Sequence, residues 1–343
     1  MTDFARKLIC WYAENRRDLP WRHTDDPYRI WVSEIMLQQT RVEAVKPYYE
    51  RFLSALPDVT ALAGADDELL NKLWQGLGYY ARVRNMKKAA QICVKDYGGR
   101  LPGTYKELLT LPGVGAYTAA AIAAFAYGEA HPAVDGNVKR VVSRYLGDAT
   151  PVEEPAFDRR ARDFLYAQIP PDRAAAFDQA LIELGATVCG PDREALCGGC
   201  PLVDGCAAFR DGKTTCLPVR KEKKERKTEE RTVLCVVFNG KTALCKRPGK
   251  GLLSGLWEPP TLEGAKSENE VRAYLTARGV RVQAVTSLPP ARHIFTHIVW
   301  EMKGYKVEAL SAGEFDFYGR EEYEKRALPS AFKPFFADLL PKR

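Results

Sequence analysis

Leu111-Pro112-Gly113-Val114-Gly115 and, beyond the helix that follows, Ala133-Val134-Asp135-Gly136-Asn137-Val138-Lys139-Arg140 are the two stretches on which the reading of this chain turns. Thr104 with Glu107 predicts a capped short helix over 105–110, and Ala116 to Tyr127 reads as a second helix, so the glycines form a turn between two helices over 105–127. Gly113 and Gly115 flank the single apolar Val114. Such a turn lets backbone approach a phosphate closely, and the second helix offers its free N–H groups to it. A hairpin used this way grips the DNA backbone without reading sequence. A plain helical hairpin fits the same residues. Asp135 stands where the next helix begins, so it reads as an N-cap whose carboxylate can still face a substrate.

Outward from this centre, residues 1–217 read as almost entirely helical. Asp26-Pro27 places a cap before a first-turn proline, with Trp31 and Ile35 on one face of the helix it opens. Thr40 with Glu43 fits a capping box, and Gly128 fits a helix stop. Residues 218–231 are nearly all charged and read as a solvated linker. From Thr232 the pattern turns β-branched. Asn239-Gly240 marks a hairpin, Ser267 with Glu270 caps one helix, and Val280 to Val285 and Arg292 to Val307 read as strands. The fold class expected is therefore multidomain: an all-α core over 1–217, a linker over 218–231 and a smaller α+β domain over 232–343.

The chain has 343 residues and a formal net charge of +7, a mild pointer to a polyanionic partner. No apolar run approaches the roughly 20 residues a membrane helix needs. The N-terminus lacks the apolar core of a signal peptide, so a cytoplasmic location is expected. Four of the nine cysteines, Cys189, Cys197, Cys200 and Cys206, cluster tightly and point to a metal site before disulfides. Their spacing fits a zinc ribbon poorly, and four thiolates also suit a 4Fe–4S cluster; zinc stays the alternative.

Taken together, the glycine turn and the segment around Asp135 resemble the helix-hairpin-helix DNA glycosylase superfamily, and the cysteine cluster narrows this to its endonuclease III branch. Trp21-Arg22, Trp31-Val32-Ser33-Glu34-Ile35-Met36-Leu37-Gln38-Gln39-Thr40 and Gly76-Leu77-Gly78-Tyr79-Tyr80 narrow it further, to the MutY family of adenine DNA glycosylases. Gly251-Leu252-Leu253-Ser254-Gly255-Leu256-Trp257-Glu258-Pro259 resembles that family's Nudix-related domain. Residues 264–279 lack the Arg-Glu…Glu-Glu helix of a working Nudix hydrolase, so pyrophosphohydrolase activity is not expected.

The resemblance implies an enzyme that removes adenine mispaired with 8-oxoguanine or guanine from double-stranded DNA, acting as a monomer on chromosomal DNA. It implies Glu34 as the acid that protonates the leaving base. Without the resemblance, Glu34 reads equally as a surface residue of an amphipathic helix. The resemblance also implies Asp135 as the anion facing the cationic sugar, Tyr117 as a hydrogen-bond partner of the acid, and Asn137 as an orienting group. Two carboxylates with opposite protonation states suit glycosidic cleavage. Trp21 and Arg22 match pocket residues, and Gln39, Thr40, Leu77 and Tyr79 match residues that wedge into the duplex. Phe295-Thr296-His297 matches a lesion-reading loop, although the residues alone also fit an ordinary strand. Strand-cleaving relatives carry a lysine where this chain has Tyr117, and tyrosine forms no Schiff base, so efficient lyase activity is not expected. Lys139, near Asp135, is left as a source of weak lyase activity. The cysteine loop, one residue longer in its first gap than the family's, is expected to turn basic side chains such as Arg193 toward phosphates. The rival readings are a thymine–guanine mismatch glycosylase, an endonuclease III-like lyase, and a catalytically silent iron–sulfur protein that binds DNA or senses redox state.

Overall fold

The computed structural model describes residues 1–191, 195–222 and 225–339. The chain forms two compact units: Met1–Ala65 with Arg84–Glu222, and Asp66–Val83 with Lys223–Arg343. Among the described residues, no helix is long and apolar enough to cross a membrane.

The first unit is helical, and its helices begin and end where local chemistry requires. Asp26 accepts from the Tyr28 and Arg29 N–H groups and starts Pro27–Leu37. Thr104 accepts from Glu107 N–H and starts Tyr105–Leu108. Asp135 accepts from Val138 N–H and starts Gly136–Leu146. Gly128, with φ of 71°, closes Ala116–Tyr127 in the left-handed conformation that glycine adopts without strain. Thr40 does not cap as expected. Val42–Ala55 has Arg41 at its N-cap with no side-chain bond, and the Thr40 hydroxyl turns back toward the Gln38 carbonyl. The core gathers Phe4 and Leu8 of Asp3–Asn15, Val138 and Val142, Phe157 and Leu165, and Phe177 and Leu181 of Ala174–Thr187. Each such side chain, fully buried, contributes about 1.5–3 kcal/mol. This core ties Gly136–Leu146, which Asp135 caps, to Ala174–Thr187 and the end of Ala116–Tyr127.

In the second unit a mixed sheet runs in the order Val282–Ile294, Ile298–Ala309, Lys227–Phe238, Lys241–Ala243, Phe317–Tyr318, with Thr261–Glu263 also paired to Lys227–Phe238. Lys227–Phe238 and Ile298–Ala309 are parallel, from Lys227 opposite Ile298 to Val237 opposite Glu308. Both faces of the central strand are covered. Val233 and Cys235 pack with Trp300, Phe332 and Phe335 on one side, and Leu234 and Val236 with Val271, Leu275 and Val307 on the other. Two-sided burial explains the unbroken apolar run. Asn239, at φ 48°, and Gly240, at φ 71°, make the expected hairpin turn.

Three expectations are corrected here. Residues 66–83 lie within the first domain by sequence but belong to the second unit. The central strand starts at Lys227, inside the stretch read as linker. Its charges are held by Arg231 bonded to Glu229 and Glu263, and its backbone by the parallel ladder. A count of charge alone does not see such cross-strand pairing. Finally, Phe295-Thr296-His297 is the turn between two antiparallel strands rather than part of one, with the Phe295 N–H donating to the Ile298 carbonyl at 2.8 Å.

Candidate active site

A cavity of about 510 Å³ opens in the first unit, within the range of small-ligand sites. Trp21, Arg22, Glu34, Tyr117, Asp135 and Asn137 all line it, as do Gln39 and Thr40. Residues far apart in sequence thus converge on one space, as the pairing of an acid with an anion requires.

Glu34 projects from Pro27–Leu37 and is only 6% exposed. The Tyr117 hydroxyl, on the helix after the glycine turn, donates to Glu34 Oε2 at 2.7 Å. Burial pushes the Glu34 carboxyl up to about 7, the Tyr117 bond opposes this, the Asp135 charge adds to it, and Arg22 draws it back. Asp135 is held as a helix cap should be, with the Val138 N–H donating to Oδ1 at 2.7 Å. The Asn137 amide donates to its Oδ2, also at 2.7 Å. Burial raises Asp135 too, against those donors and the charge of Arg140. Asp135 therefore has two hydrogen bonds favouring its anion and Glu34 has one, in a shared space where two adjacent charges repel. The first proton belongs on Glu34.

A further chain of bonds stands behind Asn137. Arg140 Nη2 donates to Asn137 Oδ1 at 2.9 Å and to the Gly185 carbonyl at 2.6 Å, and Nε donates to the Cys189 carbonyl at 2.7 Å. Lys139 points elsewhere, to Asp158 at 3.0 Å and the Val152 carbonyl at 3.2 Å. The sequence reading missed Arg17, which lines the cavity, and the carboxylate behind it that holds both Arg17 and Arg22. Glu183 is fully buried and accepts from Arg17 Nε and Nη2, both at 2.8 Å, and from Arg22 Nη2 at 2.6 Å. Burial alone would raise its carboxyl; the two guanidiniums outweigh that and hold it at about 2. Glu183 lies in an ordinary helical pattern, Ala174–Thr187, and nothing local marks it; Arg17 sits in a charged surface stretch.

In the glycine turn, Gly113 has φ of 78°, and a Cβ there would meet Asn85 Cβ at 2.7 Å, while a Cβ on Gly115 would meet nothing within 4 Å. Val114 is buried between them. The four cysteines line one small cavity with Val188, Val203 and Phe209, and Arg144 Nη1 donates to Cys189 Sγ at 3.3 Å. Among the described residues no three ligating side chains are arranged to hold a single metal ion. Four thiols around one apolar space, with an arginine donor to sulfur, are a donor set that fits a four-thiolate centre, a 4Fe–4S cluster or zinc. Arg193 lies outside the described residues. Leu77, Tyr79, Phe295, Thr296 and His297 lie in the second unit. There the hydroxyls of Tyr79 and Thr296 are hydrogen-bonded at 2.7 Å, and Phe295 packs edge-on against Trp300 at 5.0 Å.

Residues 32–160 match the HhH-GPD superfamily base excision DNA repair protein family, and residues 232–338 match the NUDIX domain. The adenine DNA glycosylase of Homo sapiens is 32% identical over 98% of this chain and 74% of its own length. The chain belongs to the adenine DNA glycosylase family. The Mycolicibacterium smegmatis adenine DNA glycosylase is 43% identical over 57% of this chain and 66% of its own length. Among solved structures, a thermostable thymine-DNA glycosylase aligns at a TM-score of 0.55 and 29% identity, over 61% of this chain and 95% of its own. An endonuclease III–DNA complex aligns at 0.52 and 21% identity, over 62% of this chain and 98% of its own, a likeness of fold. The Homo sapiens relative extends over 98% of the chain, and the enzyme is a base-excision repair DNA glycosylase.

One glycine of this glycosylase bears directly on the site. Gly185 sits inside Ala174–Thr187, where alanine ordinarily stabilises a helix by about 0.5–1 kcal/mol. A Cβ here would lie 2.6 Å from Asn137 Cβ and 2.9 Å from its carbonyl oxygen. Gly185→Ala is therefore expected to destabilise the enzyme by about 1–3 kcal/mol and to slow adenine release. Thermal unfolding and single-turnover kinetics check both, and a raised Tm would show that the two helices do not need this close approach.

Proposed function

We propose that this enzyme hydrolyses the N-glycosidic bond of adenine mispaired with 8-oxoguanine, and also with guanine, in double-stranded DNA. The observation that carries the reading is the placement of Glu34 and Asp135 on one cavity with different hydrogen-bond environments. Adenine leaves deoxyribose poorly unless it is protonated. Extruding the nucleotide from the stack costs a few kcal/mol, and the cavity receives it. The neutral Glu34 gives its proton to a ring nitrogen as the glycosidic bond breaks, and the bonding pair departs with the base. The sugar is left cationic at C1′, and the ionised Asp135 stabilises that charge electrostatically. Water then supplies the hydroxyl at C1′, and its proton returns to Glu34. Asn137 and Tyr117 hold the two carboxyls, while the Glu183–Arg17–Arg22 cluster shapes the polar wall around Trp21.

Gln39, Thr40, Leu77 and Tyr79 fill the gap left by the base, and the turn at Gly113, Val114 and Gly115 binds backbone phosphate. Opposite the adenine, 8-oxoguanine carries an N–H at N7 where guanine has only an acceptor. The Thr296 hydroxyl can take that proton as a hydrogen bond, with Phe295 and His297 fixing the turn. Cys189, Cys197, Cys200 and Cys206 would hold a 4Fe–4S cluster, which when bound ties the loop between them without entering base chemistry. With Tyr117 in place of a Schiff-base lysine and Lys139 held by Asp158, the product is an intact abasic strand. The enzyme works as a monomer on chromosomal DNA in the cytoplasm.

Three duplexes, with A opposite 8-oxoguanine, A opposite guanine and T opposite guanine, test the whole reading when treated with and without alkali. Abasic sites should form from adenine and be cleaved mainly after alkali. Release of thymine, or cleavage without alkali, would favour the rival glycosylase or lyase. Replacing Thr296 and His297 together by alanine should lower the preference for 8-oxoguanine over guanine by about tenfold, the scale of one lost buried hydrogen bond. Unchanged discrimination would remove this turn from lesion reading.

A further inference from the structure

The segment Asp66–Val83, which carries Leu77 and Tyr79, is fastened to the chain of the second unit at several points. The Glu68 carboxylate accepts from Trp257 Nε1 at 2.9 and 3.2 Å and pairs with Lys246 Nζ. The Arg326 guanidinium lies 4.6 Å from the Trp257 ring, and its carbonyl accepts from Lys72 Nζ at 3.3 Å. Gln75 Nε2 donates to the Leu328 carbonyl at 3.1 Å. Beyond these anchors the loop is stiffened from inside. Trp74 Nε1 donates to the Gly78 carbonyl at 3.0 Å, and Arg82 Nη2 donates to the Leu77 and Gly78 carbonyls at 3.0 and 3.2 Å. Tyr79, at φ 48°, holds a backbone conformation that a tyrosine rarely adopts. Its hydroxyl ends the segment on Thr296.

We propose that Glu68 is a specificity-determining positioning residue, which by its bond to Trp257 sets the Leu77–Tyr79 wedge in register with the Thr296 turn. The inference rests on the reading of Thr296 as the lesion contact. A stiff segment transmits the position of its anchor. Glu68 and Trp257 fix one end, the Tyr79–Thr296 bond marks the other, and a lesion held at Thr296 is thereby coupled to the wedge that opens the duplex. Without the Glu68 anchor, Lys72 and Gln75 still hold the segment and the wedge still enters DNA, but its register with the Thr296 turn is loosened and its response to what Thr296 holds is weakened.

The test compares Glu68→Ala, Glu68→Gln and Thr296→Ala in the full-length enzyme. Two readouts serve: single-turnover rates on A opposite 8-oxoguanine and A opposite guanine, and fluorescence of 2-aminopurine beside the mispair, which reports unstacking by the wedge. Glu68→Ala should lower the rate ratio between the two substrates about tenfold, leave the guanine rate within about twofold, and reduce the lesion-dependent fluorescence rise. Glu68→Gln retains an oxygen acceptor for Trp257 Nε1 and should restore most of the ratio. If Glu68→Ala keeps the ratio while Thr296→Ala collapses it, this inference is overturned and lesion reading stands. If neither variant moves the ratio, lesion reading by Thr296 fails and this inference fails with it. Equal slowing on both substrates with a lowered Tm would reduce Glu68 to a structural role and overturn the proposal.

Discussion

Glu34→Gln should lower the single-turnover rate of adenine release by at least about 10²-fold, the low end for a positioned general acid. The amide still accepts from the Tyr117 hydroxyl and fills the same volume, so the cavity keeps its shape. What is lost is the proton. The wild-type rate should also fall as pH rises through about 7, because burial lifts the Glu34 carboxyl there and only its neutral form donates. The variant's residual rate should lack that limb. Stability follows the same direction with pH. A carboxyl raised in the folded state binds its proton more tightly there than in the unfolded chain. Its contribution is fully present below the unfolded value near 4.5 and is lost as pH rises through about 7. Above pH 8 the wild type therefore carries a buried charge that Glu34→Gln does not, and the variant should be the more stable, by up to about 3 kcal/mol. Urea unfolding at pH 5 and pH 8.5 measures the difference. A near-normal rate, or an unchanged alkaline limb in the variant, would remove Glu34 from the acid's role.

The sequence carried most of the local architecture, because caps and glycine stops act within one turn of chain. Asp26-Pro27, Thr104, Ser267 with Glu270, and Gly128 all stand where they were expected. Thr40 failed because the same residue type also bonds its own backbone in a turn, and here it does. The charged strand from Lys227 was hidden because its stability comes from a ladder to residues 298–308, which lie some seventy positions further on. The site divides in the same way. Glu34, Tyr117, Asp135 and Asn137 were marked by motif, and each lies on the cavity. Glu183 was not, since a glutamate in an apolar helix becomes distinctive only when two distant arginines close on it. The assignment of residues 66–83 to the second unit was likewise out of reach, as it depends on Trp257, Arg326 and Leu328 at the other end of the chain.

Asp135→Asn should have the larger effect, a loss of about 10³-fold or more in single-turnover rate, with little change in folding. Asparagine and aspartate cap helices about equally, so the Val138 N–H keeps its acceptor and Tm should move by no more than a few degrees. The second oxygen is different. Oδ2 accepts from the Asn137 amide at 2.7 Å, and an amide nitrogen in its place would set donor against donor. Asn137 cannot turn to offer its oxygen without leaving Arg140, which is itself fixed by the Gly185 and Cys189 carbonyls. The variant therefore loses the charge that stabilises the sugar cation and strains the group that orients it. Loss of one oriented electrostatic contact at a reacting centre costs about 10²–10³-fold, and here both a full charge and its alignment go. The pH profile separates this account from simple misfolding. The Asp135 charge helps to raise Glu34, so in Asp135→Asn the alkaline limb of the residual activity should shift to lower pH, while duplex binding is retained. A limb that stays near pH 7, or a rate within tenfold of wild type, would mean that the two carboxyls do not act on the same nucleoside.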